Sequence, residues 1–195
     1  QTNQSQRHGE AWSAFAEARV SGLPASFEDI AISYSDIDSL RPLGLLSAAD
    51  GYLKAVLLGQ TLSSNANVTT VLTEEERTFY LQKADALYAE VVADDNNTDA
   101  STLFAVSGLS GRAAVAESTG NIDTARTFYE AIIVRSGDQY PALAKQAQLR
   151  IDTLGALASA ISLPTEKEVS ARNNQVLRRD TKAVDSDINS LILPR

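Results

Sequence analysis

Two ten-residue segments of the chain share one residue pattern at an offset of 41 positions. Residues 83–92 and 124–133 align without a gap, and each carries an alanine, an aromatic residue four positions later and an aliphatic pair three positions further on. This spacing puts the shared side chains on one face of a helix. Each segment is followed by a polar break and a further helical pattern. A helix-turn-helix unit that recurs at this interval is typical of a helical solenoid.

The composition favours the same architecture. Alanine and leucine carry most of the 44% hydrophobic share, whereas aromatic residues make up 6% of the chain. This mix favours helices packed closely through small side chains over a β-sandwich, which needs more β-branched and aromatic residues. We therefore predict an all-α fold of antiparallel helical hairpins stacked as a short solenoid. No window approaches the roughly 18 apolar residues of a membrane-spanning helix.

Helical spacing and turn signals divide the chain into a polar lead-in at 1–10, a helical domain at 11–158 and an irregular or extended tail at 159–195. The predicted helices cover residues 11–20, 26–34, 41–60, 74–93, 99–119, 122–136 and 141–158. Residues 26–29 and 73–76 resemble capping boxes, and Thr98 is predicted to cap the helix that follows it. Residues 60–72 are polar and aperiodic, so we interpret them as a long loop.

Charge and missing residue types narrow the functional classes. The formal net charge of −8 disfavours nucleic-acid binding, because an acidic surface repels the phosphate backbone. The basic stretch at 172–182 also holds an acid, and we interpret it as solvated. The chain has no Cys, which excludes disulfides, thiol catalysis and Cys-ligated metals. It also has no Met, which leads us to expect that a signal peptide, a membrane anchor or another segment precedes Gln1.

Residues 113–137 resemble a tetratricopeptide repeat. The residues that carry the resemblance are small Ala113 and Ala116 on the first helix, Gly120 and Asn121 at the turn, Ala125 at the helix crossing, and Tyr129 and Ile132 in the groove. In the first copy of the repeat, which contains residues 83–92, Gly51 and Ala84 are the small residues equivalent to those of 113–137. The link between its two helices is longer, and this accounts for the loop at 60–72. The usual proline after the second helix is absent from both copies.

The resemblance extends to residues 10–158. The Ala-Trp-x-x-Phe motif that begins at Ala11 and the run YPALAKQAQLRI at 140–151 are similar to those of bacterial membrane-anchored tetratricopeptide proteins, such as the ancillary subunit of the Sec translocon and its relatives in planctomycete-type bacteria. In that family a transmembrane helix precedes the region that matches residues 1–12. The resemblance implies a periplasmic or extracytoplasmic location, protein partners, and contact with the membrane only through a segment before Gln1.

The residues that usually carry catalysis or bind metal are sparse. His8 is the sole histidine and lies in the polar lead-in, so neither a Ser-His-Asp arrangement nor a His-based metal site is predicted. The oxygen-rich residues 94–99 lack the glycine and the bidentate glutamate of a calcium loop. The acids at 74–76 complement a helix dipole. Trp12 and the other aromatic residues are predicted to be core residues. We predict no enzyme activity, no cofactor and no metal.

The sequence predicts a protein–protein interaction or scaffold module, with Tyr52, Arg112 and Glu117 as candidate partner-binding residues on the inner face of the solenoid. The plainer interpretation is that these are solvent-exposed helix residues without a partner. An alternative function is a structural subunit of a larger assembly, in which the tail at 159–195 laces onto a neighbouring subunit. An enzyme that relies on carboxylates alone is the third class. The oligomeric state stays open.

Overall fold

The computed structural model describes residues 2–37, 39–62, 71–94 and 98–158, and these residues form an all-helical arrangement. The helices are α1 (Thr2–Ser21), α2 (Pro24–Ser33), α3 (Leu40–Leu58), α4 (Glu74–Ala93), α5 (Asp99–Ser118), α6 (Ile122–Ser136) and α7 (Pro141–Ala158). An isolated antiparallel bridge between Gln60 and Val71 closes the base of the α3–α4 connection. Most of the predicted loop and the predicted tail at 159–195 lie outside the described residues.

Helix boundaries follow the local signals in the sequence. At the start of α4 the Thr73 hydroxyl accepts a hydrogen bond from the Glu76 amide at 3.2 Å, and the Glu76 carboxylate accepts one from the Thr73 amide at 2.9 Å. Thr98 and Ser101 make the same reciprocal pair at the start of α5. The caps predicted at Thr73 and Thr98 are therefore confirmed, and they satisfy amide groups that have no partner within the helix.

Two predicted helix starts are wrong. The second helix begins at Pro24 rather than at Ser26, because proline fits the first turn of a helix, where its missing amide hydrogen costs no hydrogen bond. The predicted capping residue Ser26 therefore lies inside α2. The first helix begins at Thr2, so the polar lead-in continues the helix that the apolar spacing had predicted from Ala11.

Each helix packs against the next one in the chain, which is a repeat-like arrangement of consecutive helices. Helix α3 also contacts two helices that are not adjacent to it in the chain, α1 and α5. By contrast, no Cα atom of α4 lies within 8 Å of one of α6. The two helices that carry the repeated segments are therefore separated, with α5 between them.

The buried side chains form two hydrophobic clusters. The first spans α1 to α4 and includes Val115 of α5, and the second joins α5, α6 and α7. Trp12 and Phe79 are 44% and 52% exposed, which corrects the prediction that they are core residues. Trp12 is turned by about 100° around α1 from the buried Ala11, and Phe79 by about 140° around α4 from the buried Ala84. Each therefore lies outside the buried face of its helix.

Glycines allow the closest helix crossings. A Cβ atom at Gly51 would lie 2.8 Å from Cγ of Pro24, so Gly51 allows α2 to approach α3. The small size of Gly51 therefore serves the α2–α3 crossing. Gly108 lies beside the backbone of Tyr88, and Gly111 lies beside its ring, where α5 crosses α4. The Tyr88 hydroxyl donates a hydrogen bond to Asp50 of α3 at 2.5 Å.

Candidate partner-binding groove

Helices α4, α5 and α6 enclose an open groove of about 450 Å³, which we call the α4–α6 groove. We call α4 and α6 its walls and α5 its floor, because α5 packs against both and no Cα atom of α4 lies within 8 Å of one of α6. The residues that line it are Thr78, Leu81, Gln82, Asp85, Ala86, Arg112, Val115, Ala116, Thr119, Asn121, Thr124 and Phe128. The groove thus combines an apolar interior with several neutral polar side chains.

Arg112 contacts both walls of this groove. Its Nε donates a hydrogen bond to Oδ1 of Asp85 on α4 at 2.8 Å, and its Nη2 lies 3.4 Å from Oδ2 of the same carboxylate. Its guanidinium carbon lies 4.4 Å from the centre of the Phe128 ring on α6. A guanidinium over an aromatic ring at this distance makes a favourable cation–π contact. One side chain of α5 therefore joins α4 to α6.

The electrostatics of the groove are balanced. The Arg112 and Asp85 side chains are 27% and 39% exposed, so water still reaches the ion pair. The remaining polar lining consists of hydroxyl and amide groups without formal charge, such as those of Gln82 and Thr119. These groups can exchange hydrogen bonds with a peptide backbone, while Ala86 and Phe128 offer apolar surface. The chemistry suits an amphipathic protein segment better than a highly charged ligand.

Tyr52, the first predicted site residue, is buried between three helices. Its hydroxyl donates a hydrogen bond to Oε1 of Glu28 on α2 at 2.8 Å, and the other oxygen of that carboxylate lies 3.0 Å from Nζ of Lys83 on α4. Burial raises the pKa of Tyr52 above its usual range, and the hydrogen bond to Glu28 raises it further. Tyr52 therefore links α3 to its neighbours rather than projecting from the surface.

Glu117, the third predicted residue, joins a tyrosine and a cation in the second half of the chain, as Glu28 does in the first. Its Oε1 accepts a hydrogen bond from the Tyr129 hydroxyl on α6 at 2.7 Å, and its Oε2 pairs with Nη2 of Arg150 on α7 at 2.7 Å. Burial raises the pKa of Tyr129 above its usual value; the Arg150 hydrogen bond opposes this rise and the Glu117 hydrogen bond adds to it. Each half of the chain thus contains a carboxylate, a tyrosine and a cation from three consecutive helices.

The three predicted residues do not share one surface. Arg112 lines the α4–α6 groove, whereas Glu117 lines a separate hollow of about 630 Å³ between α3 and α5, together with Leu53, Leu57 and Ala114. Tyr52 lines neither of these two surfaces. The structure brings Arg112 together with Asp85 and Phe128, which sequence reasoning did not select. Both lie inside the repeated segments at 83–92 and 124–133, but neither is one of the positions that the two copies share, so the repeat did not single them out.

Searches for similar proteins return no match. No protein-family model matches the chain, and neither the curated proteins nor the solved structures contain a match. In the part of the chain that the structure describes, no helix has the length and apolar character needed to cross a membrane. The same part holds no group of three or more His, Cys, Asp or Glu side chains arranged to bind a metal ion.

Proposed function

We propose that this chain is a non-catalytic protein–protein interaction module, built as a short tetratricopeptide-like stack of helical hairpins. The repeated segments lie on α4 and α6, which would be the second helices of the α3–α4 and α5–α6 hairpins. Arg41 at the start of α3 pairs with Glu90 and Asp94 at the end of α4, at 3.1 and 2.8 Å. Such contacts between opposite ends are what an antiparallel hairpin requires, and the α3–α5 contact is consistent with stacking of the first helices.

The observation that carries the proposal is the α4–α6 groove. It is an open channel between two helices, with apolar side chains such as Leu81 and Val115 and uncharged hydrogen-bonding groups such as Gln82. We propose that its occupant is an amphipathic segment of another protein, which buries apolar side chains in the groove and bonds its polar groups at the edges. The buried apolar area would supply most of the affinity, and the polar groups would fix the orientation.

The non-catalytic part of the proposal rests on residue types. The chain has one histidine and no cysteine, and enzymes use these side chains most often for proton transfer and nucleophilic attack near neutral pH. The carboxylates of Glu28, Asp85 and Glu117 form ion pairs with cations of neighbouring helices, which suits bracing of the helix stack. These observations support a binding function over a chemical one.

The resemblance to membrane-anchored tetratricopeptide proteins supports a further proposal, an extracytoplasmic location at a bacterial membrane. The residues encoded before Gln1 in the full-length gene test it. An apolar stretch of about 20 residues with Lys or Arg on its far side would support a membrane anchor with this domain on the outer side. A direct continuation into another soluble domain would contradict the anchor.

The groove is tested by site-specific photo-crosslinking in the native host. A photoreactive residue at Gln82 is expected to form a defined adduct with another protein, and Ala86→Arg should abolish it by placing a long cation in the groove. Ala86 is an exposed helical alanine, so the fold should tolerate the change. Ala16→Arg is the matched control, because Ala16 is an exposed alanine on α1, away from the groove.

The outcomes separate the proposal from its alternatives. Loss of the adduct in Ala86→Arg but not in Ala16→Arg would support binding in the groove. An adduct that survives Ala86→Arg would contradict it. An adduct with a second copy of this chain would indicate self-assembly in place of a different partner.

A further inference from the structure

No Cα atom of the α4 wall lies within 8 Å of one of the α6 wall. The fully buried side chains of the two walls belong to different hydrophobic clusters, although Val92 of α4 is partly buried against the second. Leu81 and Leu87 of α4 pack into the first cluster, whereas Tyr129 and Ile132 of α6 pack into the second. The width of the groove therefore depends on α5 and on side chains that reach across it.

Helix α5 packs closely against both wall helices. Toward α4, the contact is close: a Cβ atom at Gly108 would lie 2.9 Å from the carbonyl oxygen of Tyr88, and Gly111 lies against the ring of Tyr88. Toward α6, the buried Ala113 and Ala125 belong to one hydrophobic cluster, and the Arg112 guanidinium lies over the Phe128 ring at the edge of the groove. Close backbone packing leaves little room for α4 to move relative to α5, because interiors resist small displacements. A change in groove width therefore requires a wall helix to tilt on α5, and that tilt would lengthen the contact of Arg112 with Asp85 or with Phe128.

We propose that Arg112 holds the two walls of the α4–α6 groove at a fixed separation through the bridge Asp85–Arg112–Phe128. The planar guanidinium is oriented by two contacts with the Asp85 carboxylate, which suits the fork geometry of arginine. The central carbon of the same guanidinium lies over the Phe128 ring, 4.4 Å from its centre. The bridge is partly exposed, so water and salt can weaken it. Arg112 thus acts as a reversible constraint on groove width, whatever the groove binds.

The chain offers a direct way to measure this separation. Because it contains no cysteine, the substitutions Glu75→Cys and Glu130→Cys create the only two attachment sites for nitroxide labels, one on α4 and one on α6. Both positions are exposed, and Glu130 faces away from the buried Tyr129 and Ala125. Pulsed electron–electron double resonance then reports the distribution of distances between the walls.

The key comparison is between the labelled parent chain and the same chain with Arg112→Met. Methionine keeps an unbranched apolar stem but removes the guanidinium, so both wall contacts are lost. We expect the distance distribution to broaden and its mean to shift in Arg112→Met. Raising the salt concentration to about 1 M should move the parent distribution in the same direction and leave Arg112→Met unchanged, because salt screens exposed charge pairs.

Arg41→Met is the matched control. It removes an arginine of α3 that pairs with Glu90 and Asp94 of α4. No Cα atom of α3 lies within 8 Å of one of α6, so this arginine does not join the two walls. The distance distribution of the labelled Arg41→Met chain should match that of the labelled parent chain. Circular dichroism confirms that each variant is folded. Should Arg112→Met fail to fold, Asp85→Asn and Phe128→Leu each remove one half of the bridge and should give the same broadening.

A parent distribution that coincides with that of Arg112→Met would overturn the proposal. Equal broadening in Arg41→Met would also overturn it, because the effect would then reflect general loss of ion pairs on α4. Neither result bears on whether the groove binds a protein, so the proposed function and this inference fail separately.

Discussion

Gly111 of α5 lies directly against the ring of Tyr88 on α4, at a point where a Cβ atom would overlap the ring carbons Cδ1, Cε1 and Cζ. The ring itself is 1% exposed, and its hydroxyl is hydrogen-bonded to Asp50 on α3. Tyr88 is therefore held from both ends of its side chain, and it has little freedom to move away from α5. This contact joins three helices at the boundary between the two hydrophobic clusters.

Gly111→Ala should destabilise the fold. The added methyl group would force the anchored ring of Tyr88 or the backbone of α5 to shift, which costs about 1–3 kcal/mol for an overpacked core. Denaturant unfolding followed by circular dichroism measures the change. Gly9→Ala is the control, because α1 leaves open space around Gly9, and alanine there should stabilise the helix by about 0.5–1 kcal/mol. Alanine also has the higher helix propensity at Gly111, so a gain in stability equal to that of Gly9→Ala would contradict the contact.

Alkaline pH should weaken the fold through its buried tyrosines. Burial, together with hydrogen bonds to carboxylates, raises the pKa of Tyr52 and Tyr88 above the usual range, and burial also raises the pKa of Tyr129. The unfolded chain therefore loses its phenol protons first, near pH 10. The stability contribution is complete below that pH and declines as the pH rises above it.

Urea unfolding at pH 8 and at pH 11 measures this decline. Tyr88→Phe should lose less stability between the two pH values than the parent chain does, because phenylalanine has no proton to release. Tyr140→Phe tests whether removal of any tyrosine has the same effect. An identical decline in the parent chain and in Tyr88→Phe would show that Tyr88 does not contribute to it.

Thr73→Ala should destabilise α4 by about 1 kcal/mol, because the Glu76 amide loses its hydrogen-bond acceptor at the N-terminus of the helix. The matched change Thr78→Ala lies on the exposed face of the same helix, where alanine has the higher helix propensity and should be neutral or slightly stabilising. Thermal unfolding of both variants compares the two positions directly. A loss of the same size at Thr78 would contradict the role of the cap.

Ser136→Ala should leave stability unchanged or raise it by up to about 1 kcal/mol. The Ser136 hydroxyl is buried and finds no hydrogen-bond partner in the described part of the chain. A buried hydroxyl without a partner costs free energy on folding, and alanine removes that cost while creating little space. Chemical unfolding measures the difference. A loss of more than about 1 kcal/mol would indicate that the hydroxyl has a bound partner, such as a buried water.

Much of the candidate site lay beyond sequence reasoning. Of the three residues selected as partner-binding, Tyr52 and Glu117 connect neighbouring helices through hydrogen bonds, and Arg112 bridges the walls of a groove. Spacing along a helix indicates which side chains share a face, but it does not indicate which neighbouring helix that face meets. The partners Asp85 and Phe128 became visible only when α4, α5 and α6 were placed together.

The sequence by itself determined where helices form. The shared pattern at 83–92 and 124–133, the caps at Thr73 and Thr98 and the polar break at Gly120 act within a few residues, so local spacing and hydrogen bonding suffice to predict them. This is why five of the seven described helices begin within a residue of their predicted starts.

Only the tertiary structure decided how those helices meet. The close approach of Pro24 to Gly51, the exposure of Phe79 and the bridge at Arg112 depend on the rotation and crossing angle of each helix. Those variables are set by the combined packing of side chains that are distant in sequence, as ridges of one helix settle into grooves of another. The physical reason is that helix formation is a local property of the chain, whereas a groove exists only between helices.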